Sequence, residues 1–383
     1  QRGVPGDDES VDFAEFMYMR IKPWKDWIPG VLSETQLRLL CKKGYISGVD
    51  ENLEIDPSSI DLHLDDEGYE LISGSVKPFA ERYIQTLKNN RLARPLKKRS
   101  DGTYLLNIAK TYLFKLRENI ISLGDGNFHG QATAKSSVGR VDVLARLIVD
   151  GMDRYEEFHP DGLGKGDMYV EITPMSFPVV VKMGIPITQM RVFYGTPAIA
   201  EMRGEELYET LLRRGESGKG SEGYLCVHVG DVRVWGGDFT AFCAKSGKIP
   251  AVRLWKQPEA KKPDPKRYWY PQRYRKFGDE QRFVIEKNRF YIMMSKELIS
   301  LPPNIAVYCR ANDETIGEMR IHYAGFVHPH FGYKRKDGKP GTPLIFELRG
   351  HSVQVNLGDG EKLCKLFFFR MSENAKKPKK QDY

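Results

Sequence analysis

The sequence predicts a mainly β protein in which one β domain is used twice, with a few short helices. Three observations point there. Most of the chain consists of short β-branched and aromatic runs, such as Tyr169–Ile172, Pro178–Val181 and Ile345–Leu348, broken by Gly, Pro or Asp at the spacing of short strands. Helical periodicity is confined to four stretches, about 11–20, 33–43, 79–91 and 201–214. Residues 104–118 match 283–297 at a constant offset of 179, with Tyr112 on Tyr291 and Glu118 on Glu297. Further on, Glu171 falls on Glu347, Gly184 on Gly360 and Phe193 on Phe369, all at an offset of 176.

Taken in order, residues 1–29 form an N-terminal extension in which Trp24 and Trp27 are expected to anchor on the first domain. The first domain spans 30–200. Its opening helix starts at Ser33, because Ser33 followed by Gln36 is a capping box ahead of Leu37, Leu39 and Leu40. Residues 201–223 combine a helix with the Gly/Ser-rich linker GESGKGSEG. The second domain spans 224–373, with YLCVHV (224–229) laid on SIDLHL (59–64). A basic tail, 374–383, is expected to fray in solvent.

Composition excludes several classes. With 40% apolar residues and 59 Lys+Arg against 51 Asp+Glu, the chain is too apolar and too evenly charged to be disordered. No run approaches the roughly 18 apolar residues of a membrane helix. The first residues lack a secretory apolar region, so a cytoplasmic setting is expected. Cys41, Cys226, Cys243, Cys309 and Cys364 are odd in number and widely spaced, which argues against disulfides and thiolate zinc and for buried free thiols. The net charge of +8 permits a polyanionic ligand without requiring one.

Three constellations carry chemistry. Lys135-Ser136-Ser137-Val138-Gly139-Arg140 follows a strand-like run and supplies two hydroxyls, two cations and a small residue within six positions, suited to phosphate oxygens or a polarised water. Asp56-Pro57-Ser58-Ser59-Ile60-Asp61 lies upstream. Downstream, Glu171 sits inside an apolar strand, which is costly unless the carboxylate is exposed, paired or functional. The run Met183–Phe193, which contains Gln189, reads as a turn and a strand.

In this order the residues resemble the dUTPase/dCTP deaminase superfamily, and within it the long two-domain bacterial dCTP deaminases. The resemblance covers roughly 30–373 through GVLSETQLRLL, IDPSSIDLHL, AKSSVGRVDVLARLI, MYVEITP, GEMRIHYAGFVHPHFG and TPLIFELRGHSV. It implies a duplicated dUTPase-like domain, a β-clip or distorted barrel, and zinc-independent deamination of dCTP to dUTP and ammonia. By position, Ser136 and Arg140 would hold the attacking water and Glu171 would be the base. Lys135 and Ser137 would serve the triphosphate, with Mg2+ bridging phosphate oxygens and no zinc. Gly139, Gln189, His328 and Phe331 complete the implied substrate-binding set. Hydrolysis of dUTP, or a non-catalytic nucleotide- or nucleic-acid-binding role, are the alternatives that the same scaffold allows.

The two halves have diverged. KSSVGR occurs only in the first, whereas the second carries Asn312-Asp313-Glu314-Thr315-Ile316-Gly317-Glu318-Met319-Arg320 there. The sugar-side motif is recognisable only in the second, as Gly325-Phe326-Val327-His328-Pro329-His330-Phe331-Gly332. A composite site is therefore expected, in which Glu347 could replace Glu171 as the base. His328 stands where the family has Asp, so a neutral imidazole would have to accept from the deoxyribose hydroxyl. A metal pair of His328 and His330 lacks a third ligand. The family implies a homo-oligomer. The segment 253–289 interleaves basic and aromatic residues, which suits single-stranded nucleic acid, but its Pro punctuation favours a loop packed back on the β domain.

Overall fold

Cap chemistry decides where the first helix among the described residues starts. In the computed structural model, which describes residues 26–50, 55–121, 123, 128–159, 166–213, 223–312, 319–321 and 325–378, Ser33 is the N-cap of α1 (Glu34–Lys42). Its hydroxyl accepts from the Gln36 N–H at 3.3 Å, and Gln36 Oε1 accepts from the Ser33 N–H at 3.0 Å. Two donors that a helix start leaves open are thus satisfied. Leu37 and Leu40 on its inner face are fully buried.

The other expected helices are shorter. Residues 79–91 yield only Ile84–Leu87, whose Leu87 is buried in a small cluster with Leu71 and Tyr83. Residues 201–214 yield Glu205–Leu211, flanked by two-residue strands. There Leu212 and Arg213 join a ladder opposite Ile299 and Leu298, so sheet pairing ends the helix. The 11–20 stretch, Trp24 and most of the expected linker lie outside the described residues. Trp27 meets Phe128 and Tyr194 edge-on, with centroids 6.3 and 6.0 Å away.

The first half is built on β1 (Ser59–Leu71), β2 (Thr103–Leu106), β3 (Thr111–Ile120), β4 (Phe128–Ala134), α2 (Ser136–Gly139), β5 (Val143–Val149), β6 (Gly166–Pro174), β7 (Val179–Lys182) and β8 (Pro186–Tyr194). Its main sheet runs β4-β8-β1-β3-β6-β5, antiparallel throughout. β7 and β2 pair in a smaller sheet. The second half has β9 (Tyr224–Cys226), β10 (Glu280–Ile285), β11 (Phe290–Ile299), β12 (Ile305–Ala311), β13 (Met319–Ile321), β14 (Gly325–Val327), β15 (Thr342–Gly350), β16 (Val355–Gly358) and β17 (Lys362–Arg370). Its sheets run β14-β12-β17 and β11-β15-β13, with β9 on β17 and β10 on β16. Each half encloses its own apolar core.

The duplication extends to buried hydrogen bonds. β3 maps end to end on β11 at an offset of 179, and β6, β7 and β8 map on β15, β16 and β17 at 176. Tyr112 Oη accepts from the Asn107 N–H at 2.9 Å, and Tyr291 Oη from the equivalent Glu286 N–H at 3.2 Å. Buried Glu118 accepts from the His63 N–H at 2.8 Å, and buried Glu297 from the Cys226 N–H at 2.7 Å. This last pair corrects the upstream alignment. Leu62 lies opposite Thr188 and Leu225 opposite Cys364, so His63 corresponds to Cys226, two residues away from the alignment on sequence. Strand side chains alternate with period two, so a two-residue slip leaves the apolar pattern unchanged.

The halves meet along a seam. Phe193 of β8 and its repeat-equivalent Phe369 of β17 touch edge-on at 5.1 Å, within an apolar cluster that includes Val31, Ala306, Tyr308 and Met371. Arg349 pairs with Asp142 at 2.6 Å, and Arg191 Nη1 donates to the Val307 carbonyl at 3.1 Å. In the 253–289 segment, Tyr268 is buried edge-on against Phe177, Trp269 lies near Phe290, and Trp255 lies under Lys182 and Arg253. These rings are engaged in packing, while Tyr270 and Phe277 stay exposed. Among the described residues no helix is long and apolar enough to cross a membrane.

Candidate active site between the two halves

A cavity of about 290 Å3 opens at the seam. The first half lines it with Asp56, Lys135, Ser136, Gly139, Arg140 and Gln189; the second lines it with Phe326, His328, Phe331, Ile345 and Glu347, among others. Neither half makes this pocket alone.

The first-half wall follows from a tight turn. β4 ends at Ala134, Lys135 keeps an extended conformation, and α2 makes a single helical turn. Val138 is buried beneath it, so Ser136 and Arg140 are left exposed on the pocket side. Ser137 is exposed on the same turn but does not line the pocket. Lys135 lies in the wall with its ammonium already 2.5 Å from both carboxylate oxygens of Asp61. Burial, ahead of the attraction of Lys135, raises the Asp61 pKa. An anionic ligand would therefore compete with Asp61 for Lys135.

The opposite wall holds the carboxyl group. Glu347, in the middle of β15, is buried at 7% exposure, yet it has no hydrogen bond or ion pair among the described residues. Burial pushes its pKa up to about 8; Arg140 across the pocket opposes this and Asp142 adds to it. A carboxyl poised near neutrality and facing a cavity is suited to taking and returning a proton.

Glu171 is placed differently. It does not line the pocket. Its two oxygens are taken by Ser75 Oγ at 3.0 Å, the Arg146 guanidinium, and Tyr155 Oη at 3.2 Å. Arg146 in turn stacks on the Tyr155 ring at 4.0 Å. Among the readings open to a carboxylate in an apolar strand, Glu171 takes the paired one, whereas its equivalent 176 residues later has no such partner among the described residues.

The expected sugar-side loop lies beside Glu347. Phe331 lines the pocket, and His328 does so with Nδ1 2.8 Å from Ser58 Oγ of the first half. His330 instead places Nε2 3.0 Å from the Ala375 carbonyl, so the two imidazoles are engaged with different partners. Among the described residues no group of three or more His, Cys, Asp or Glu converges as a metal site.

Sequence reasoning missed Asp56 as a wall residue, and Ser58 and Arg191 behind the wall. Arg191 had a readable signal, since an arginine inside the apolar strand Thr188-Gln189-Met190-Arg191-Val192-Phe193 requires an explanation. It is fully buried and stacks on the Phe326 ring at 4.1 Å.

Residues 28–196 match the family model of the 2'-deoxycytidine 5'-triphosphate deaminase N-terminal domain, and residues 224–382 that of its C-terminal domain. The crystal structure of 2'-deoxycytidine 5'-triphosphate deaminase from Agrobacterium tumefaciens is similar over 91% of this chain and 97% of that one, with a TM-score of 0.76 and 25% sequence identity. With both domains matched in order on a duplicated β fold, the chain belongs to the two-domain dCTP deaminase family.

Proposed function

We propose that this protein hydrolytically deaminates dCTP to dUTP and ammonia, in the pocket between its halves. The observation that carries the reading is Glu347, a buried carboxyl without a hydrogen-bond or ion-pair partner among the described residues, which lines the cavity together with Ser136 and Arg140. Glu347 takes a proton from a water that attacks C4 of the cytosine. As the water oxygen bonds to C4, the C4=N3 electron pair moves to N3; Glu347 returns its proton to the exocyclic nitrogen, the C4–N bond breaks to release ammonia, and the remaining hydroxyl proton passes to N3 as the carbonyl forms. Ser136 Oγ and the Arg140 guanidinium hold the water and offset the charge that develops at the reacting centre. Lys135 and the Gly139 backbone serve the phosphate side, Gln189 the base, and Phe331 and His328 the sugar side.

A Mg2+ ion accompanying the substrate would neutralise part of the triphosphate charge. The pocket wall supplies cations and the two separated carboxylates Asp56 and Glu347. Such a wall suits an ion carried on phosphate oxygens better than one seated on the chain. Both walls belong to one chain, so formation of this pocket does not require a second copy.

Incubation of the pure protein with dCTP, dUTP or CTP in the presence of Mg2+, with ammonia and pyrophosphate followed separately, tests the reading. Ammonia from dCTP without pyrophosphate is expected. Pyrophosphate from dUTP would instead indicate hydrolysis, and neither product would leave a nucleotide-binding role.

A further inference from the structure

We propose that His328 is a fixed hydrogen-bond donor to the bound nucleotide, held in its Nε2–H form by Ser58 and Arg191, and that it recognises an acceptor oxygen of the deoxyribose rather than a hydroxyl proton. The ligand assignment rests on the deaminase reading above; the tautomer does not. Arg191 can only donate. It is fully buried, has no carboxylate partner among the described residues, and its Nη2 lies 3.4 Å from Ser58 Oγ. Ser58 is fully buried too, and among the described residues its hydroxyl has two neighbours within reach, Arg191 Nη2 and His328 Nδ1.

The Ser58 oxygen accepts from Arg191, and its own proton must then go to His328. Were His328 to donate through Nδ1, the Ser58 proton would be buried without an acceptor, a costly arrangement. Nδ1 is therefore an acceptor and Nε2 carries the hydrogen. The two ring nitrogens diverge, and Nε2 has no protein partner among the described residues, in an imidazole that lines the pocket. Burial, reinforced by the charges of Arg191 and Lys135, lowers the His328 pKa to about 3, so the ring stays neutral near pH 7. The expectation that the imidazole accepts from the sugar hydroxyl is thereby reversed in polarity: the accepting nitrogen is occupied from behind by Ser58.

Ser58 and Arg191 are positioning residues, and a spectroscopic reading separates this role from a merely structural one. Long-range 1H–15N correlation on full-length protein labelled at histidine, with His328 assigned through His328→Gln, is expected to show the Nε2–H pattern at pH 7. Ser58→Ala is expected to shift it toward a mixture. In turnover, His328→Gln keeps a donor near the Nε2 position while His328→Glu does not, so kcat/KM for dCTP should be at least about tenfold lower for the Glu variant. Removing the 3′-oxygen, as in 2′,3′-dideoxy-CTP, should cost wild type about tenfold, mostly in KM. An Nδ1–H pattern in wild type, or His328→Glu equalling His328→Gln, overturns the proposal. Absence of any dCTP turnover in wild type would overturn the deaminase reading alone, with the tautomer still decided by the spectrum.

Discussion

Glu171 and Glu347 occupy repeat-equivalent positions and have opposite surroundings. Glu171 is buried and held by Arg146, Ser75 and Tyr155, so truncating it leaves a half-buried guanidinium without its countercharge. Glu171→Ala is expected to lower stability by about 3 kcal/mol in denaturant melts while the folded fraction keeps its turnover. Glu347 has the reverse profile. Its pKa is raised from 4.5 to about 8 in the folded state, so its neutral form is favoured by folding. The sign follows: the stabilising contribution of neutral Glu347 is full below about pH 4.5 and is lost as pH rises toward 8, and Glu347→Gln should remove that part of the pH dependence. Because the base must be ionised, wild-type kcat/KM should rise with pH and level off above about 8. The sequence marked both glutamates, since each is a carboxylate in an apolar strand, but it could not separate them. The distinction lies in Arg146, which the β5 to β6 ladder sets opposite Glu171, and in Tyr155 from the turn beyond β5.

At the level of elements, the repeat was the most legible feature, because residues matched at one offset share one ladder position. Two-residue strands and truncated helices were not legible. In 201–214 the apolar spacing fits a helix, yet Leu212 gains more from pairing with β11. The loop after His328 depends on a conformation that sequence marks only as glycine. Gly332 has φ +64°, and a Cβ there would sit 2.1 Å from the Ile299 carbonyl oxygen. Gly332→Ala must displace the loop that carries His328 and Phe331. It is expected to raise KM for dCTP several-fold or more with a smaller effect on kcat, measured by steady-state kinetics.

For the whole molecule, divergence between the halves was readable from the loss of KSSVGR in one and of the sugar-side motif in the other, and this led to a composite site. What joins the halves was not readable, because Phe193 on Phe369 and Arg349 on Asp142 are contacts between residues more than 170 positions apart. Burial raises the Asp142 pKa to about 7 despite Arg349 beside it. Removing Arg349 also removes the charge that holds that pKa down, so Arg349→Ala should destabilise little at pH 5, where Asp142 is protonated with or without Arg349, and increasingly as pH rises above 7, reaching about 3 kcal/mol in denaturant melts once wild type gains fully from the ionised pair. The central claim is that Glu347, and not Glu171, is the base of a deaminase site assembled by both halves. Ammonia release from dCTP by purified Glu347→Gln and Glu171→Gln, each checked for folding, tests it most directly. The predicted result is a fall of at least about 100-fold for Glu347→Gln and at most a few-fold change for Glu171→Gln. Wild-type turnover in Glu347→Gln, or its loss in Glu171→Gln alone, would contradict the account.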